Sequence, residues 1–284
     1  MAKFLIGDVL LEIDYSSMPV EGGENLDKFS YNAVWHGEKL TLQTEFKELD
    51  FSGAELKVGD NRVCEVYKVG NENMLVYHWG NLFRGFAVWP ERFAVTYSPE
   101  MRGQPALRED WFFSIISFHR QMLLRGGCVF HASYIDIGDK AVLFTAPSNT
   151  GKSTQADLWC RFADAEVING DRVLLKQKNG VWCAYGYPSC GTSGICQNRT
   201  LPVAAIVVLE QGQENKIVQL TAAQKIRALV SATEVYLWDQ TEIDKAFEIA
   251  GNIIADVPVI KLSCRPDEDA VRVLQSFLEE SIDV

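Results

Sequence analysis

Hydrophobic and polar residues alternate in short runs over the first hundred positions, at 3–12, 38–46, 62–69, 74–79 and 93–97. Clusters of Gly, Asn, Asp and Pro separate them. A two-residue period puts successive side chains on opposite faces of a strand, and such punctuation turns the chain between strands. Residues 1–104 therefore read as a β-rich N-terminal region. The period then changes. Leu107, Trp111, Ile115, Phe118 and Met122 recur at steps of three or four, which predicts one helix over 107–124, stopped by Arg125-Gly126-Gly127.

Beyond that stop the pattern predicts strand 128–137, a turn at Gly138-Asp139, strand 141–145, a loop, and helix 154–162. Further strands are predicted at 166–168, 172–176, 181–185 and 203–210. Thr221 and Gln224 have the spacing of a capping box, opening a helix to about Val230. A second helix spans 244–255. A third begins at Pro266-Asp267-Glu268-Asp269, with Val271, Leu274, Leu278 and Ile282 on one face. Strands interleaved with helices give an α/β class, an α+β mixed sheet, in a second domain over 105–284. No repeat, low-complexity tract or long linker is visible.

Composition narrows the class. A chain of 284 residues, 47% hydrophobic, can bury one large core or a moderate core with a satellite. No apolar run approaches the roughly 18 residues that span a bilayer, and acidic residues interrupt the N-terminal apolar stretch too early for a secretory signal. A cytoplasmic protein without membrane association is expected. The net charge of −11 argues against a nucleic-acid partner, since that binding rests on Lys and Arg neutralising phosphates. Seven cysteines are an odd count with no CxxC pair. Cys183, Cys190 and Cys196 lie close together, but no His is near and no zinc spacing fits, so free thiols are expected.

The segment with chemistry in it runs from Ala141 to Thr154, Ala-Val-Leu-Phe-Thr-Ala-Pro-Ser-Asn-Thr-Gly-Lys-Ser-Thr. An apolar strand feeds a loop of small and polar residues, and Gly-Lys-Ser-Thr opens a helix. Backbone N–H groups in such a loop turn inward, and the helix N-terminus adds partial positive charge, so polyphosphate oxygens find donors. Ser148, Asn149, Thr150, Gly151, Lys152, Ser153 and Thr154 are the expected nucleotide-binding residues. Lys152 would reach the β- and γ-phosphates of ATP, and the Ser153 hydroxyl would hold Mg²⁺. The pattern departs from its usual form at Ala146, where Gly is the rule; alanine excludes most positive-φ conformations.

Such a loop needs a second group on the metal or acceptor side. Asp171, nineteen residues after Lys152 and ending the run Glu166-Val167-Ile168-Asn169-Gly170, is the candidate for metal binding, acceptor deprotonation, or both. Asn-Gly-Asp is also a common hairpin connector. His131 precedes Lys152 by twenty-one residues; His36, His78 and His119 read as structural.

With loop, upstream histidine and downstream aspartate together, residues 130–173 resemble the catalytic core of HPr kinase/phosphorylase and the wider phosphoenolpyruvate-carboxykinase-like nucleotide-binding fold. The resemblance covers roughly 105–280. It rests on Phe130-His131-Ala132, on the loop Ala146–Ser153, and on Asn169-Gly170-Asp171-Arg172-Val173 where the family carries a pair of acids before Arg-Val. Segments 185–191, 209–215 and 257–267 look like a less-characterised HPr-kinase-like subgroup, some members of which occur with peptide-maturation systems. The resemblance implies nucleotide binding at Lys152 and its loop, metal binding at Ser153, and a catalytic or metal role for Asp171. It places His131 near the transferred phosphoryl group. Two departures stand out: the acidic pair is reduced to Asp171 with Asn169 two positions earlier, and the late signature of the reverse phosphorylase reaction is missing. The expected activity is a forward ATP-dependent kinase acting on a hydroxyl, a serine of a small protein or peptide, with HPr disfavoured as the acceptor. A small-molecule kinase and a non-catalytic nucleotide-binding regulatory or scaffold protein are the competing readings. Arg172 and Arg199 are each equally phosphate contacts or surface residues, and a homo-oligomer is left open, since kinases of the resembled family are hexamers.

Overall fold

A computed structural model describes residues 1–14, 20–21, 24–58, 64–79, 83–102 and 107–281. Contacts divide the chain into two compact units, Met1–Gln121 and Met122–Val284. The division lies beyond residue 104, where the sequence pattern changes from strand to helix period.

The first unit is built on an eight-stranded mixed sheet. Its elements are β1 (Ala2–Ile6), β2 (Val9–Ile13), β3 (Val20–Glu21), α1 (Glu24–Asp27), β4 (Glu38–Phe46), β5 (Ala54–Val58), β6 (Cys64–Val69), β7 (Glu72–Trp79), β8 (Phe83–Trp89), β9 (Ala94–Tyr97), β10 (Leu107–Arg108), α2 (Glu109–Ile115) and α3 (Phe118–Leu123), the last crossing the division between the units. The sheet order is β1-β2-β4-β9-β8-β7-β6-β5, so β5 to β9 form an antiparallel meander beside the N-terminal hairpin; β3 and β10 pair separately. The run expected at 3–12 is two strands, because Gly7 and Asp8 both take φ of 59° and make the tight turn that right-twisted strands favour. The helix expected over 107–124 is also two. Ser117 at φ 60° interrupts it, and Leu107 belongs to a strand. Arg62, expected at the start of a strand, lies outside the described residues.

The second unit contains β11 (Gly127–His131), β12 (Ser133–Asp136), β13 (Ala141–Thr145), α4 (Lys152–Phe162), β14 (Glu166–Asn169), β15 (Arg172–Lys178), β16 (Val181–Tyr185), β17 (Thr200–Gln211), β18 (Lys216–Gln219), α5 (Ala222–Ala232), α6 (Gln240–Asp256), β19 (Val259–Cys264) and α7 (Glu268–Ser281). Its sheet runs β11-β15-β16-β17-β13-β12-β14, with β19 on β17 and β18 on β19. Strand 128–137 of the sequence reading is divided at Ala132: β11 pairs with β15, β12 pairs with β13 and β14, and the Ala132 N–H leaves the ladder for the Asp171 carbonyl at 3.0 Å. Ile282, expected on the last helical face, lies outside the described residues.

Strand alternation splits the core into two layers. Ala141, Leu143, Ile206 and Val259 face α5 and α6 through Leu229, Ile249 and Ile253. Val142, Phe144, Val207, Ile260 and Leu262 face α4 and α7 through Trp159, Val271 and Leu274. This second unit is an α/β/α sandwich, and the whole molecule is mixed α and β. Within the sheet, β13, β17 and β19 are mutually parallel, β17 lying between the other two. Their carboxyl ends open at one edge, where ligands of open α/β sheets are found.

Candidate functional site

The loop after β13 is shaped by two residues. Asn149 takes φ 63° and Gly151 takes φ 114°, a value that side-chain-bearing residues rarely adopt. Ala146 is not among the positive-φ residues, so alanine fits where glycine was expected. Gly151 is the N-cap of α4 and offers no side chain to it, whereas Thr221 caps α5 with a full capping box and Asp239 caps α6. The first bond of α4 runs from the Gln155 N–H to the Gly151 carbonyl at 2.9 Å. The N–H groups of Lys152, Ser153 and Thr154 precede it and have no intrahelical acceptor. Lys152 folds back onto its own loop, its Nζ donating to the Ala146 carbonyl at 3.0 Å, and it makes no ion pair among the described residues.

Asp171 sits in the turn between β14 and β15, and that turn is pinned from several sides. Asn169, fully buried, accepts from the Asp171 and Arg172 N–H groups at 2.9 Å each through Oδ1. Its Nδ2 donates to the carbonyls of Tyr187 at 2.8 Å and Ser189 at 3.1 Å. The amide thus uses every hydrogen-bonding position it has. Ser133 Oγ donates to the Gly170 carbonyl at 3.0 Å. Gly170 packs on Ser193, and a Cβ at Gly191 would stand 2.8 Å from Asp171 Cγ. Asn169-Gly170-Asp171 is a turn, as a hairpin connector would be, and Asp171 lines a cavity from it.

Around Asp171 lies a chain of charges. Arg172 Nη1 is 3.4 Å from the Asp171 carboxylate and donates to Ser189 Oγ at 3.0 Å, while its Nε is 3.5 Å from Glu234. His131 pairs with Arg172 across β11 and β15. Its imidazole is held below the ordinary histidine range by burial first and by the Arg172 charge second, with Lys152 adding to this and Asp171 and Glu234 opposing it.

These elements meet in one cavity of about 740 Å³, to which His131, Ala146, Ser148, Lys152 and Asp171 all contribute. Asn149, Thr150, Gly151 and Thr154 line a second cavity of about 820 Å³. Ser153 is exposed and lines neither. Arg199 is bound in a surface ion network with Asp136, Asp139 and Glu166, and lines neither cavity. His36 is exposed, His78 lies 3.4 Å from Glu65, and His119 is buried in α3. All seven thiols are free.

Sequence reasoning missed the opposite wall of the first cavity. Gln224, Arg227, Ala228 and Ser231 lie there at helical spacing on α5, with Lys261 from β19. The helix itself was legible from its capping box, but nothing in its sequence says which face looks at the loop. Glu234, just past α5, carried no motif and is placed by the N–H it donates to the Val129 carbonyl at 2.9 Å.

No group of three or more His, Cys, Asp or Glu able to hold a metal occurs among the described residues. The donors at hand are oxygens, the Asp171 carboxylate in the cavity and the Ser153 hydroxyl at the helix start. Only Asp171 of the two lines the first cavity; carboxylate and hydroxyl oxygens are the donor type that a hard dication takes beside phosphates and water. Among the described residues no helix is long and apolar enough to cross a membrane.

A protein-family model, SynChlorMet cassette protein ScmC, matches residues 108–263, more than half of the chain. The chain belongs to the ScmC family. The family shown is thus a different one from HPr kinase/phosphorylase, which the sequence resembles. Among solved structures, this ScmC-family chain is similar to an HPr(Ser) kinase/phosphatase from Coxiella burnetii, with 17% identity and a TM-score of 0.32, over 54% of this chain and 93% of that one. No curated protein matches the sequence.

Proposed function

We propose that the second unit is an ATP-dependent, Mg²⁺-assisted phosphotransferase that phosphorylates a hydroxyl, a serine of a small protein or peptide. The observation that carries the reading is the sharing of one cavity by Lys152, His131 and Asp171, beside a helix start that no side chain caps. An uncapped N-terminus with free N–H groups is a ready anion site, and the lysine ammonium beside it makes no competing ion pair among the described residues.

The chain's own groups then divide the work. The 150–154 amides and Lys152 hold the donor's phosphates and draw charge from the transferring group. Asp171, presented by its pinned turn, orients the acceptor hydroxyl and takes its proton as the acceptor oxygen bonds to the γ-phosphorus and the bond to the β-bridging oxygen breaks, releasing ADP. His131, kept neutral, donates a hydrogen bond without adding a fixed charge. Asp171 from the cavity and Ser153 from the helix start would hold Mg²⁺ together with the donor's phosphates, and the ion would supply neutralisation of their charge.

A second reading draws on Asn169. Its amide is saturated and cannot stand in for the missing acid, which favours a nucleotide-binding regulator without turnover. The two separate on Asp171→Asn. If the kinase reading holds, a fluorescent ATP analogue still binds while radiolabelled phosphate transfer to lysate proteins, read on a gel, falls by about 10²–10⁴-fold; Lys152→Ala removes both. No transfer by a wild type that binds the analogue would sink the kinase reading in favour of the regulator, transfer unchanged in Asp171→Asn would take the chemistry away from Asp171, and label in the small-molecule fraction instead of the gel would move the acceptor from peptide to metabolite.

A further inference from the structure

The loop 146–154 is a wall between two cavities, and the proposed function uses only one of them. The second, about 820 Å³, is walled by the carboxyl ends of all three parallel strands: Thr150 and Gly151 follow β13, Gln211 ends β17 with Gln213 just after it, and Arg265 and Pro266 follow β19. Both cavities run along the same two strands. Val208 of β17 and Lys261 of β19 belong to the first, Gln211 and Cys264 to the second. The offset is three residue steps along each strand, about 10 Å at the usual rise per residue, which is the scale of an extended triphosphate.

This second cavity is a built place. Gly212 lies against Ser263 so closely that no side chain fits between them, and its N–H donates to the Cys264 carbonyl at 3.0 Å, locking the two strand ends together. Asn215 Oδ1 accepts from the Arg265 N–H at 2.8 Å, and Arg265 Nε lies 2.8 Å from Asp267. The lining is rich in amides. Gln211 and Gln213 make no side-chain hydrogen bond among the described residues, and both are exposed. Gln155, from the first turn of α4, is 3% exposed; its Nε2 donates to Cys264 Sγ at 3.3 Å, while its Oε1 has no partner. A buried acceptor without a donor is costly, and a ligand hydroxyl or amine would satisfy it.

Resting on the nucleotide reading above, we propose that this cavity seats the nucleoside of the donor, so that ribose and base lie among Gln155, Gln211 and Gln213 with Arg265 and Pro266 as the platform. The polyphosphate crosses the loop at Gly151 and delivers its terminal phosphoryl to the cavity that holds His131 and Asp171. The direction follows from the placement of those two residues: the reacting end must face them, which leaves the opposite side for the nucleoside.

Titration calorimetry on the full chain tests this with two probes, ATP and inorganic tripolyphosphate, in the presence of Mg²⁺. The wild type binds both, ATP more tightly. The Gln211→Ala/Gln213→Ala variant loses about tenfold in ATP affinity, the worth of one or two hydrogen bonds, and keeps its tripolyphosphate affinity. Equal ATP affinity in variant and wild type overturns the nucleoside seat while leaving the phosphate loop standing. Binding of neither probe to the wild type overturns the nucleotide reading itself, and the seat with it. Photolabelling with 8-azido-ATP gives a second measurement independent of folding effects. Label on the peptide bearing 211–213 or 265–266 supports the seat, and label on the peptide bearing 224–231 overturns it.

Discussion

Asn169 shows how one amide can set a site. Its Oδ1 gathers the N–H groups of Asp171 and Arg172, and its Nδ2 holds the 187–189 backbone over the turn. Replacing it with Asp would face a carboxylate against two carbonyls in a fully buried position. Asn169→Asp should therefore cost about 3 kcal/mol or more in denaturant unfolding. A cost under about 0.5 kcal/mol would mean the amide is not the pin. His131 gives a pH signature. Its folded-state pKa is lowered, so the unfolded chain binds the extra proton first as pH falls. The sign is then clear: stability declines as pH drops below about 6.5, the unfolded value, and stops declining once the lowered folded value is passed. His131→Gln should flatten that slope in unfolding measured between neutral and acidic pH; an unchanged slope would assign it to other groups.

At the level of elements, the segment 190–194 controls the approach to Asp171. Gly191 combines φ 57° with a Cβ position 2.8 Å from the Asp171 carboxyl carbon. Gly191→Ala should cost about 1 kcal/mol from the backbone alone and should lower phosphate transfer more than nucleotide affinity. Equal losses in both would mean the residue acts on the fold rather than on the carboxylate. Much of the element plan was legible. β13 and β16 have the expected bounds, and the Thr221–Gln224 box caps α5 with both of its hydrogen bonds. Legibility failed where tertiary pairing overrides a local pattern. Nothing in Phe130-His131-Ala132-Ser133 signals that the strand changes partners at Ala132, and Ser117 has no sequence feature that announces a left-handed break. β19, Val-Ile-Lys-Leu-Ser-Cys, was missed as a strand although apolar residues dominate it, and with it went the third parallel carboxyl end. The loop, Asp171 and His131 were nominated from sequence; the α5 wall and the second cavity needed coordinates, because helix rotation and strand order are not written in a linear pattern.

For the molecule as a whole, ligand linkage offers a test that needs no acceptor. ATP at a hundred times its dissociation constant should add about 2.7 kcal/mol to the stability of the unit that binds it, raising its melting temperature by roughly 5–10 °C. Differential scanning calorimetry with and without nucleotide checks this, and no shift with saturating ATP would contradict nucleotide binding. The pinned turn also has a chemical consequence for the chain's lifetime. Asn169-Gly170 is the dipeptide most prone to cyclise to a succinimide, since glycine lets its own backbone nitrogen reach the neighbouring amide carbon. In the native state the fully bonded, buried side chain is withheld from that reaction. Each excursion to the unfolded state exposes it, and hydrolysis of the ring leaves aspartate or isoaspartate behind. Molecules that spend time denatured should thus gather acidic isoforms, seen by isoelectric focusing, that no longer refold to a working site: the same residue that orders the turn would act as a clock of how often the protein has come apart.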